Sequence, residues 1–134
     1  GVKCSMPASS EVADWINKAE EDCNAALALM RQRARPLPNL VCFHAQQCAE
    51  KYLKAALIFH RRSFPKTHDL IVLYELCQPV VPGLGTILEA ISVLSPYGVD
   101  VRYPGTASTI EEAKEATEAM KVVRKFLRKH LGEE

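Results

Sequence analysis

Ala49-Glu50-Lys51-Tyr52-Leu53-Lys54-Ala55 is the stretch on which the fold turns. Read outward from it, Val41, Ala45, Cys48, Tyr52, Ala55 and Phe59 recur at alternating steps of four and three, the spacing of one helical face. Phe43, Leu53, Ala56, Leu57 and Ile58 widen the apolar surface beyond a single stripe. A helix this apolar belongs at the centre of a bundle or at a subunit interface.

Before it, Val12, Trp15, Ile16, Ala19, Cys23, Ala26, Leu27 and Met30 predict a first helix over about residues 11–33. Ser10 is its expected N-cap, and Pro36 and Pro38 are expected to end it. After the break at Phe64-Pro65-Lys66-Thr67, Leu70, Leu73, Tyr74 and Cys77 suit a short third helix stopping at Pro79. A turn at Pro82-Gly83-Leu84-Gly85 leads to a fourth short helix carrying Ile87, Leu88, Ile91 and Leu94, closed by Ser95-Pro96. Residues 97–106 read as a loop, longer than the usual connection and of the kind that often carries function.

Thr109-Ile110-Glu111-Glu112 has the spacing of a capping box, in which hydroxyl and carboxylate satisfy each other's orphan backbone donors. It opens a last helix with Ile110, Ala113, Met120, Val123, Leu127 and Leu131 on its apolar stripe, acidic early and basic late in accord with the helix dipole. With neither strand signal nor internal repeat, the pattern predicts an all-α protein: a five-helix up-and-down bundle of three long and two short helices. Residues 1–10 are expected to be a tail and 11–131 the domain.

Length and composition agree with one domain. At 134 residues, 48% apolar and 25% charged, the chain can bury a core without disulfides or metals. Cys4, Cys23, Cys42, Cys48 and Cys77 are odd in number and form no C-x-x-C pair, so they read as core residues of a reducing compartment. No apolar run is long enough to span a membrane and no signal peptide is recognisable, so a cytoplasmic protein is expected. A net charge of +1 gives no global signature of nucleic-acid binding, and the basic clusters at Arg31-Gln32-Arg33-Ala34-Arg35, Arg61-Arg62 and residues 121–129 are local.

Polar groups concentrate in three places: Glu50, Lys51 and Lys54; Lys66-Thr67-His68-Asp69; and Val101-Arg102-Tyr103-Pro104. Lys51 and Lys54 share a helix face, and with His68 and Arg102 they could hold a phosphate through charge-assisted hydrogen bonds. Alternatively, Glu50 and Lys54 form a weak surface salt bridge. His68 suits either a structural hydrogen bond in its turn or a site role, and Asp69 is placed to cap the next helix. His44 and Cys48 lie four apart, yet no second matched pair accompanies them, so core packing is expected and no metal site. His60 and His130 sit near helix C-termini, where an imidazole needs no further role, and Trp15 reads as a core anchor. Walker, G-x-S-x-G, H-E-x-x-H and dinucleotide motifs are missing, so no familiar enzyme class and no cofactor is expected.

Taken together, Ala13-Asp14-Trp15, Ala19-Glu20-Glu21-Asp22, the run Cys42-Phe43-His44-Ala45-Gln46-Gln47-Cys48 continuing through Ala55, Thr67-His68-Asp69-Leu70 and Arg102-Tyr103-Pro104 resemble the HEPN domain (higher eukaryotes and prokaryotes nucleotide-binding). The resemblance implies a five-helix bundle that commonly forms homodimers, often encoded beside a minimal nucleotidyltransferase in a toxin-antitoxin pair. It implies one of two roles: nucleotide or substrate binding for that partner, or metal-independent RNA cleavage. By motif, Lys51 and Lys54 would face a phosphate or an interface, His68 and Asp69 would border the cleft, and Arg102 with Tyr103 would line the loop over it. The ribonuclease branch requires an Arg followed four to six residues later by a His near the last helix, and no His follows Arg102 there. Arg62 and His68 have five residues between them, but the intervening Pro65 argues against a single catalytic helix face. Three readings follow: a phosphate-binding module with a nucleotidyltransferase partner, an endoribonuclease using Arg62 and His68, or a non-catalytic dimeric scaffold built on the apolar second helix.

Overall fold

In the computed structural model, which describes residues 6–98 and 107–133, the chain forms α1 (Met6–Arg31), α2 (Pro38–Phe59), α3 (Leu70–Cys77), α4 (Leu88–Leu94) and α5 (Ile110–His130). Two 3-10 segments, Leu84–Ile87 and Ser95–Tyr97, flank α4, and no strand occurs among the described residues. The all-α bundle of three long and two short helices is therefore as the periodicity predicts.

α2 is the centre of it. It packs against α1, α5, α3 and α4, so most of its wide apolar surface is covered by its own chain, with Leu40 and Phe59 left exposed near its ends. Tyr52, Leu53, Ala55, Ala56 and Leu57 are fully buried on it, facing a core that includes Leu70, Ile91, Met120 and Leu127. Each large aliphatic side chain there contributes about 1.5–3 kcal/mol on leaving water.

Two helix starts differ from the sequence expectation. α1 begins at Met6, which puts Ser10 inside the helix rather than at its N-cap. Pro38 does not end α1 but is the first residue of α2, where its fixed φ suits a helix and its missing N–H is no loss. α1 itself stops at Arg31, and the Gln32 side chain donates to the Ala34 and Arg35 carbonyls at 3.1 and 2.8 Å, holding the turn to α2. The chain also runs on from Ser95 as a 3-10 turn where closure was expected.

α2 and α5 end alike. At α2, Arg61 adopts a left-handed φ of 58° while Arg62 N donates to Leu57 O and Arg61 N to Ile58 O, the paired bonds of a Schellman cap. At α5, Gly132 has φ 78° with Glu133 N on Arg128 O and Gly132 N on Lys129 O. The capping box at the start of α5 is present, with Glu112 N to Thr109 Oγ1 at 3.0 Å and Thr109 N to Glu112 Oε1 at 2.8 Å. Asp69 caps α3, its Oδ1 accepting from Ile71 N at 2.9 Å.

Candidate functional site

An apolar central helix has few positions where a polar side chain can be held, and α2 uses them for carboxylate-centred clusters. Glu50 is the hub of the most buried one, with a side chain only 2% exposed. Its carboxylate accepts from Lys54 Nζ at 2.9 Å, from Gln47 Nε2 at 3.1 Å and from His68 Nδ1 at 3.1 Å on both oxygens. Gln47 also donates to Gln46 Oε1 at 2.8 Å, and Gln46 Nε2 donates to the His68 carbonyl at 3.1 Å. This network grips the connection before α3 twice, through the imidazole and through the backbone of His68.

Lys54 is roofed by aromatic rings, with Nζ 5.4 Å from the centroid of Trp15 and 5.6 Å from that of Phe64, while those two rings meet edge-on at 6.2 Å. Trp15 and Phe64 therefore serve a buried ammonium as well as the core. The Glu50–Lys54 pair is not the weak surface bridge its spacing suggests: taking both charges out of water is costly unless every polar group is matched, and here it is matched.

The orientation of His68 follows. Nδ1 is fixed on Glu50, and the ring is otherwise open to solvent, its side chain 69% exposed. With the proton on Nδ1, Nε2 presents a lone pair outward, the arrangement by which a carboxylate sets a histidine's tautomer and direction. Gly98 closes one side of this cluster: a Cβ built there would lie 3.4 Å from both Gln46 Nε2 and the His68 carbonyl oxygen.

A second cluster forms around Asp22 of α1, which accepts from Lys51 Nζ at 2.5 Å and pairs with His44 Nδ1 at 2.8 Å. A third forms around Glu20, which takes two bonds from Arg124 at 2.7 and 2.8 Å and one from the Tyr52 hydroxyl, while Arg128 donates to that hydroxyl at 3.2 Å. The Arg124 guanidinium holds the Glu20 carboxyl below its ordinary range, and burial pushes the Tyr52 phenol up. This third cluster pins α5 to α1 and α2.

Of the residues singled out from sequence, the structure brings His68, Glu50 and Lys54 together, with Asp69 capping beside them. Lys51 stands apart on Asp22, so the two lysines engage different carboxylates. Arg62 lies at the end of α2, where its charge adds to the burial that depresses the His60 pKa, and not against Glu50. Arg102 and Tyr103 lie outside the described residues. His44 and Cys48 do not act as a pair: His44 turns to Asp22, whereas the buried Cys48 faces Cys23 and the hydrogen bond between the two thiols draws that of Cys23 down. Cys23, Cys42, Cys48 and Cys77 are buried and form no disulfide. Asp22, Gln46 and Gln47 carry the clusters yet entered the sequence reading only as part of the family pattern and without a site role, although Gln46, Gln47 and Glu50 stand out as polar breaks in the apolar surface of α2.

A five-helix bundle with a polar cluster gripped by its central helix defines a small all-helical domain. The HEPN domain family model matches residues 12–131, and the chain belongs to that family. Among solved structures, TT1696 from Thermus thermophilus is similar at 24% identity with a TM-score of 0.75, over 88% of this chain and 96% of that one. ST0689, an archaeal HEPN homologue, is similar at 25% identity with a TM-score of 0.69, over 89% and 96% of the two chains. No match was found among curated proteins. No helix among the described residues is long and apolar enough to cross a membrane.

Proposed function

We propose that this chain is a nucleotide- or RNA-phosphate-binding module, a cytoplasmic homodimer that works with a minimal nucleotidyltransferase in a toxin-antitoxin-like pair. The observation that carries the reading is His68: a side chain fixed at Nδ1 by a buried carboxylate and exposed at its other edge. Protonated, such an edge donates to a phosphate oxygen; neutral, it accepts from a ribose hydroxyl. Lys54 neutralises Glu50 and Lys51 neutralises Asp22, which lowers the repulsion an incoming phosphate meets from those carboxylates. Arg102 and Tyr103 enter this reading through the family pattern alone. Calorimetric titration with ATP, GTP and short RNA, with and without the product of the neighbouring gene, tests it. Heat from at least one ligand, lost in His68→Ala, supports the proposal; no heat from any of them in either setting sinks it.

The same dyad supports a second reading, metal-independent endoribonuclease, because a carboxylate-oriented imidazole is the usual form of a general base. RNA digestion in chelator separates the two. Cleavage lost in His68→Ala supports it, and cleavage that proceeds equally in wild type, His68→Ala and Arg62→Ala removes these residues from the chemistry.

A further inference from the structure

His60 follows the last residue of α2, and His130 is the last residue of α5. Seventy residues apart in sequence, their Nε2 atoms come within 2.8 Å of each other. The ring centroids are 5.0 Å apart and the planes are tilted by 33°, so the rings meet nearly head-on. Phe59 packs edge-on to both, at 5.1 Å from His60 and 5.9 Å from His130, and is itself 45% exposed, so the pair is held in place yet opens at the surface.

We propose that His60 and His130 form a two-imidazole site for a divalent transition-metal ion of the zinc, cobalt and nickel group. These ions favour imidazole nitrogen, and the two Nε2 atoms already converge from separate elements on one point. A zinc–nitrogen bond of about 2.0–2.1 Å sets the nitrogens of a tetrahedral ion roughly 3.3 Å apart, so the head-on rings have to open by about half an ångström and swing until both lone pairs point at the ion. Water or an exogenous ligand completes the coordination. Glu50 lies ten residues before His60, about 15 Å along the α2 axis, so this site is separate from the His68 cluster and does not depend on the functional reading above.

The plainer account is an N–H···N bond joining two helix ends, and the two accounts differ in one measurement. Untagged full-length protein is titrated with cobalt(II), followed by its visible absorption, and with zinc(II) by calorimetry. Wild type should bind one ion per chain, His60→Gln and His130→Gln should each lose that binding, and His44→Ala should retain it. Both glutamine variants alter partly buried side chains at helix ends, and circular dichroism checks their helix content. No binding by wild type at millimolar metal, binding undiminished in both glutamine variants, or binding abolished by His44→Ala would each overturn the site.

Discussion

Glu50→Gln keeps the shape of the hub and removes its charge. The Lys54 ammonium, its side chain 8% exposed, would then sit beneath Trp15 and Phe64 without a counter-charge. Breaking one half of a buried pair costs about 3–5 kcal/mol, a large share of the 5–15 kcal/mol that holds a typical domain together. For a chain of this length the loss corresponds to a fall in Tm of roughly 10–20 °C. Lys54→Met should cost less, because Glu50 keeps its bonds from Gln47 and His68. The double variant Glu50→Gln/Lys54→Met should recover much of the loss, giving a coupling energy of about 1–3 kcal/mol. Urea denaturation of the four proteins measures all of this. Glu50→Gln within about 1 kcal/mol of wild type, or a double variant in which the two losses simply add, would refute the buried hub.

Other consequences are local. Arg61→Gly removes a left-handed arginine from the α2 cap and should stabilise by about 1 kcal/mol, whereas Gly132→Ala at the matching position of α5 should destabilise by a similar amount; thermal melts read both. Thr109→Ala deletes the hydroxyl half of the capping box and should cost about 0.5–2 kcal/mol in chemical denaturation. Glu20, held below the ordinary glutamate value of 4.5 chiefly by Arg124, contributes stability that is complete above that value and lost as pH falls through the lower folded-state pKa. Stability measured from neutral pH downward should therefore fall less steeply below about 4.5 in Glu20→Gln than in wild type.

The sequence disclosed what depends on local period and capping: the α2 stripe, the Thr109–Glu112 box and the Asp69 cap all act within a few residues of themselves. It did not disclose what depends on how chain segments return. His68 meets Glu50 only because the connection from α2 to α3 folds back along α2, and nothing in the spacing of Lys51 and Lys54 announces that they turn to carboxylates on different helices. The His60–His130 contact joins distant parts of the sequence. The misplaced start of α1 has a simpler cause: Ser10 followed by Glu11 and Asp14 carries a valid cap pattern, but the helix was already under way at Met6.

The central claim is that a phosphate-bearing ligand engages the outward edge of His68. Long-range nitrogen NMR of the imidazole rings during titration with ATP, GTP or a short RNA reads that contact at the atom concerned. The account predicts that His68 Nε2 shifts in a saturable way with at least one of these ligands, while the His44 ring, occupied with Asp22, stays put. A saturating ligand that leaves His68 unmoved, or that moves His44 instead, would contradict it.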